Sequence, residues 1–208
     1  MTLKKILTLV ILGSTVTSLV ACSQPQKPRH SAKKRPLITM QSDSEPTQDP
    51  KVRLQFNDIK TATVQDNFQN GTTLEQIKSF YGEPKTHTTK PAGDVTLDVY
   101  TWTIDKATIT VQLFQNSTVA KAISNFAFER KKTITETIYT KEIQNGMTFT
   151  RATEILGQAD VYSQSVSSDG EEIQAIWSSN LKGTDNARHI KLIFKDGKLV
   201  EKSQYGLN

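Results

Sequence analysis

Apolar residues recur along this chain in two rhythms. Leu74, Ile77 and Tyr81 fall at i, i+3 and i+7, the stripe of a short amphipathic helix, and Phe149, Ala152 and Leu156 repeat it. Thr72 is the expected N-cap of the first of these helices, with Glu75 as its capping-box partner. Gly82 and Gly157 supply the stops, and Pro84 blocks continuation. A short helical segment is expected ahead of each helix, DNFQ at 66–69 and TKEIQ at 140–144. Elsewhere the period is two, as in Ile109, Val111 and Leu113, with β-branched and aromatic residues enriched. Strands are predicted over 85–89, 96–104, 107–114 and 118–128, then over 160–166, 172–179, 188–194 and 198–205. Asp169-Gly170 and Asp196-Gly197 are strong hairpin dipeptides, Ala92-Gly93-Asp94 a looser turn and Asn116-Ser117 a weak one.

The order ααββββ therefore occurs twice. Asn70-Gly71 and Asn145-Gly146 stand 75 positions apart, and so do Trp102 and Trp177, the only two tryptophans. Phe114 aligns with Phe194 at an offset of 80, which places five extra residues in the polar run NLKGTDNAR of the second copy. Self-similarity at a fixed period means duplicated structural units. The expected fold class is α+β, with two tandem repeats at 51–130 and 131–208, each a pair of helices on one face of a four-stranded antiparallel sheet. A unit of this size, without disulfides or metal, is near the lower limit of independent stability. The two are expected to pack side by side or to join their sheets, leaving the opposite sheet face open.

The N-terminal segment reads differently. Lys4 and Lys5 precede an apolar run from Ile6 to Val20, and Leu19-Val20-Ala21-Cys22 closes it. This is the layout of a secretory signal, and the run is short for a membrane span, which needs ~20 residues. The last four residues resemble the lipobox of bacterial lipoproteins. That resemblance implies a signal peptide at 1–21 and lipidation of Cys22, which would become the new N-terminus. Residues 22–50, rich in Pro, Ser, Gln and Lys, are expected to form a disordered basic tether. As a flexible chain such a segment would reach about 30 Å on average.

Charge narrows the partners. The whole chain carries a formal +5, but removing the seven basic and three acidic residues of positions 1–50 leaves 19 and 18, a net +1. A nucleic-acid binder carries its basic excess on the domain itself, so no nucleic-acid partner is expected. Cys22 is the only cysteine, so the fold must hold by packing alone. His87 and His189 are isolated on predicted strands, with no second ligand at metal spacing. No G-x-S-x-G elbow, phosphate-cradling glycine loop or H-E-x-x-H is present. Glu171 and Glu172 are adjacent, and neighbours on a strand face opposite ways. The chain is not expected to be an enzyme, and no cofactor or metal is implied.

The repeated N-G-[TM]-T of Asn70–Thr73 and Asn145–Thr148, the glycine and tryptophan that follow each, and F-x-D-G-x-L at Phe194–Leu199 resemble β-lactamase inhibitor protein. They also resemble the single-repeat small lipoproteins of the outer-membrane assembly machinery. The match extends to inhibitor-like lipoproteins of Gram-positive bacteria. The resemblance spans about 64–208 and implies a helix-loop-helix on a four-stranded antiparallel sheet in each repeat. In the inhibitor the open sheet face grips its enzyme, and a hairpin loop of the first repeat inserts an acidic residue. Carried over, these positions are Asp105 in the short loop Ile104-Asp105-Lys106-Ala107, and Tyr205 with Lys191 and Ile193 on the second repeat. The resemblance thus implies a lipoprotein on the extracellular face of the cytoplasmic membrane, held by lipid on Cys22, that binds an envelope or secreted protein. The alternatives are inhibition of a β-lactamase or related cell-wall enzyme, and a small-ligand binder or undetected hydrolase.

Overall fold

The computed structural model describes residues 49–208. The expected signal peptide, Cys22 and most of the tether lie outside the described residues. The element order is α1 (Pro50–Asp58), α2 (Leu74–Tyr81), β1 (Thr86–Ala92), β2 (Val95–Ile104), β3 (Ala107–Phe114) and β4 (Ser117–Ser124). It continues with α3 (Glu136–Glu142), α4 (Phe149–Leu156), β5 (Val161–Ser167), β6 (Gly170–Trp177), β7 (His189–Lys195) and β8 (Lys198–Tyr205). All eight strands form one antiparallel sheet in sequence order. The two four-stranded halves are joined by β4 and β5, whose register runs from Ala120↔Ser165 to Ile123↔Tyr162. The duplicated α+β architecture is as the sequence implies, and the sheets are fused rather than stacked.

Local chemistry explains the helices. Thr73 and Thr148 are the N-caps of α2 and α4, accepting from Gln76 N and Arg151 N. The capping-box partner of Thr73 is Gln76, so the expected Thr72–Glu75 pair is corrected by one position. Thr72 is spent elsewhere: its Oγ1 accepts from Lys60 N at 2.8 Å, and its carbonyl accepts from Thr118. The first helix of repeat one is also corrected. It lies upstream at α1, capped by Asp49 with Pro50 in its first turn. DNFQ is a turn, because Asn67 and Phe68 adopt left-handed φ of 54° and 61°. In repeat two the helix α3 overlaps only the start of TKEIQ.

One core lies between the four helices and one sheet face. Val52 and Phe56, Ile77, Ile138, and Ala152 with Leu156 pack there against Trp102, Ile109, Ile123, Ala175, Trp177 and Leu192. The two tryptophans do the same work in each copy. Trp102 Nε1 donates to the carbonyl of Gly82, and Trp177 Nε1 to that of Gly157, both at 2.9 Å. Each ties the C-terminus of its helix to the sheet, which accounts for the shared spacing. A smaller cluster, Ala92, Leu97 and Val119 with Phe68, Val95 and Phe114, lies apart from this core.

The hairpins fix the internal alignment. The β3–β4 turn is Gln115-Asn116 and the β7–β8 turn is Asp196-Gly197, all four with positive φ. The structural offset is therefore 81, so Leu113, not Phe114, corresponds to Phe194. The insertion is six residues, between β6 and β7, inside the polar run where the sequence placed five. β1 and β8 form the outer rims. β1 carries Lys90 and Pro91, and β8 carries the exposed Lys198 and Glu201, which suits rim strands.

Candidate functional site

Two surfaces concentrate polar chemistry. The first is the sheet face turned away from the helices. Its centre, over the β4–β5 seam, is floored by small side chains, Ala120, Ala122, Ser163 and Ser165. Longer groups rise on the second repeat. Lys195 lies 3.9 Å from Glu172, and Gln174 Nε2 donates to Glu172 at 2.7 Å. At the far rim Tyr205 is 51% exposed, its ring stacked on His189 with centroids 6.0 Å apart. Asp185 holds its hydroxyl. The Asp185 carboxyl is kept below its usual range by the Ala187 N–H, then by the Tyr205 hydroxyl, while the Tyr205 phenol is raised by that same bond. Asp185 belongs to the insertion that repeat one lacks, so the device is peculiar to repeat two.

The expected contact residues are only partly gathered. Lys191 is half-buried opposite Ser203 on β8 and Ile176 on β6, on the face that carries Tyr205. Ile193 is 1% exposed, between its cross-strand partners Gln174 and Glu201. It supports the face from within and offers a partner no surface, which corrects its expected role. Asp105 is exposed at the β2–β3 turn with φ 52°. It shares an end of the sheet with Tyr205, but five to six strand spacings separate them, roughly 25 Å.

The second surface is a cleft on the helix side, between α1 of repeat one and α4 of repeat two. It measures about 430 Å3 and is lined by Arg53, Lys121 and Tyr162, with Asn57, Thr150 and Gln164 at its margin. Lys121 Nζ donates to the carbonyls of Phe56 and Ile59 at the end of α1. Lys202 does the same for Tyr139 and Ile143 at the end of α3. The two lysines stand at the structural offset of 81, each ammonium over an aromatic ring, Phe56 at 4.9 Å and Tyr139 at 4.8 Å. Burial lowers the Lys121 ammonium to about 8 and the Arg53 guanidinium to about 10.

A family model described as a domain of unknown function with a solved structure matches residues 48–207, a span that takes in both repeats up to the penultimate residue. The chain belongs to the DUF3862 family. It is similar to the crystal structure of a "putative beta-lactamase inhibitor protein" from Streptococcus mutans. The two are 43% identical over 78% of this chain and 99% of that one, with a TM-score of 0.72. A DUF4309 family protein, YjgB, from Bacillus subtilis matches over 75% of this chain and 92% of that one. At 11% identity and a TM-score of 0.23 it carries no argument. No curated protein matches the chain. The inhibitor-like fold of this DUF3862 chain thus stands on sequence and structure together.

Among the described residues no group of three or more His, Cys, Asp or Glu is placed to hold a metal ion. His87 lies on the helix-bearing side of β1, stacked on Tyr100 at 4.3 Å and bonded to Asp98 at 2.8 Å. His189 lies on β7, five strands or more away toward the other rim of the sheet, so the two are not brought together. Sequence reasoning missed Asp185, Arg53 and Lys121. For Lys121 a signal existed: it occupies an inward position two residues before Ile123, and Lys202 repeats it one structural period later. Asp185 in an irregular loop carries no pattern.

Proposed function

We propose that this DUF3862 chain is an extracytoplasmic lipoprotein, anchored through Cys22, whose duplicated domain binds another protein with the sheet face opposite the helices. The observation that carries this reading is the fusion of two sheets into one. All four helices stand on one side of it, and no helix covers the small-residue centre of the other side. Tyr205 is the anchor on that face, since aromatic residues with a fixed ring and a polar tip dominate such interfaces. The partner is an envelope or secreted protein, and the chain acts by binding rather than by turnover. The likeness to the Streptococcus mutans protein supports this.

Affinity capture with the lipid-anchored chain tests the reading. At least one envelope protein should be retained, with binding weakened about tenfold or more by Tyr205→Ala. Retention that is indifferent to Tyr205→Ala and to Lys191→Ala refutes the sheet-face interface. A second reading, inhibition of a β-lactamase or related cell-wall enzyme, is favoured by the same Streptococcus mutans likeness and by the exposed Asp105. Steady-state assays over a panel of such enzymes, with Asp105→Ala as comparison, decide it. A micromolar chain without effect on the panel removes it.

A further inference from the structure

We infer that the cleft between α1 and α4 is a binding site for a small molecule bearing a carboxylate or phosphate group, with Arg53 and Lys121 as the anion-binding residues. The site is on the helix side, so it stands apart from the sheet-face interface proposed above. Arg53 is 2% exposed, and its Nε and NH1 have no hydrogen-bond partner. Only NH2 is engaged, donating to the carbonyl of Ala159 at 3.4 Å. Aromatic rings surround the guanidinium, with its carbon 4.9 Å from the centroid of Phe56 and 5.3 Å from that of Tyr162. Ring contacts satisfy charge at the faces of a guanidinium but leave its in-plane N–H groups unused. A buried donor without a partner costs about 1–3 kcal/mol, so such a group marks a missing acceptor.

Among the described residues no carboxylate supplies that acceptor. Among the described residues, neither Arg53 nor Lys121 has an acid within ion-pair distance. Asp160, the acid that acts most strongly on Arg53, is fully committed. It pairs with Arg130 at 2.8 Å and accepts from Phe128 N, Ser178 N, Ser179 N and the Ser179 hydroxyl. Glu171 accepts from Gln164 Nε2. Two cations therefore line one cleft with no counter-charge in contact. Polar groups at the margin, Thr150, Thr153 and Gln158 among them, suit the rest of an oxygen-rich ligand.

The second repeat serves as an internal control. Lys202 and Tyr139 reproduce Lys121 and Phe56, but the residue three before Tyr139 is the exposed Glu136 where α1 has the buried Arg53. The repeat fold thus does not require a buried arginine. The cleft exists only where β5 continues the sheet beyond β4; at the other end β8 is a rim. A guanidinium fork is suited to two oxygens of a carboxylate or phosphate.

Isothermal titration of the full chain with inorganic phosphate, and separately with succinate, tests the site and assigns the acid class. Saturable binding of at least one probe is expected with Kd at or below about 1 mM. Arg53→Met should weaken it about tenfold or more, and Arg151→Gln, an exposed arginine on α4, should leave it unchanged. Failure of both probes to bind the wild-type chain overturns the proposal, as does equal binding by Arg53→Met. Should that variant not fold, the Nε–H resonance of Arg53 in the wild-type chain decides. A shift that saturates with the probe supports the site, and an unmoved resonance refutes it.

Discussion

Replacing Lys121 with methionine separates the electrostatic cost of this side chain from its structural service. Burial is the main reason its ammonium falls from 10.5 to about 8, with Arg53 lowering it further and Asp58 and Glu171 opposing. A lysine whose folded pKa lies below its unfolded value destabilises the fold while charged. The unfolded chain then binds more protons between the two values, so stability rises with pH through that window. A fall from 10.5 to about 8, at 1.36 kcal/mol per unit, carries about 3 kcal/mol, most of it recovered between about pH 7.5 and pH 10. Above that, Tyr81 and Tyr162, whose buried phenols are raised, act with the opposite sign. Lys121→Met removes the charge but strips the carbonyls of Phe56 and Ile59 of their donor, at about 1–3 kcal/mol each. Near neutral pH the net effect therefore lies between a gain of about 1 kcal/mol and a loss of about 3 kcal/mol, too broad a span to be diagnostic. The diagnostic is therefore the pH slope of the difference, measured by urea unfolding at constant ionic strength in phosphate-free buffer. The wild-type chain should gain about 2 kcal/mol relative to Lys121→Met between about pH 7.5 and pH 10. A difference that does not change with pH refutes the reasoning.

Two further substitutions exploit the repeat and its junction. Gly71→Ala places a Cβ 2.5 Å from the carbonyl oxygen of Thr118, whereas Gly146→Ala meets no atom within 4 Å and suffers only its φ of 85°. Thermal unfolding should show a loss above about 2 kcal/mol for the first and about 1 kcal/mol for the second. The reverse order would show that the close approach is not tight. Asp160→Asn breaks the pair that the fully buried Asp160 makes with Arg130 and should cost about 3 kcal/mol or more by denaturant unfolding.

The sequence disclosed what repeats and little of what does not. The stripes of α2 and α4, the alternating strands and the two Trp–Gly distances were legible because each is a local pattern written twice. α1 was not, since Arg53 interrupts its buried face between Val52 and Phe56 and makes it read as polar. The matching phenylalanines misled the alignment by one residue: Phe194 joins the main core while Phe114 packs in the smaller cluster. Of the candidate contact residues, the exposure of Tyr205 follows from its place at the end of a rim strand. The burial of Ile193 depends on neighbours from two strands, which no period reveals. The cleft arises only when α1 and α4 are brought side by side, and neither repeat encodes it alone.

The meander has no built-in terminus. Addition of β5 to β4 required only a strand of matching direction, and β8 presents the same kind of rim to whatever follows. A third unit would graft there without disturbing the first two. Lys198 and Glu201 of β8, with the proline of β1, are then the punctuation that keeps separate molecules from extending one another into a ribbon.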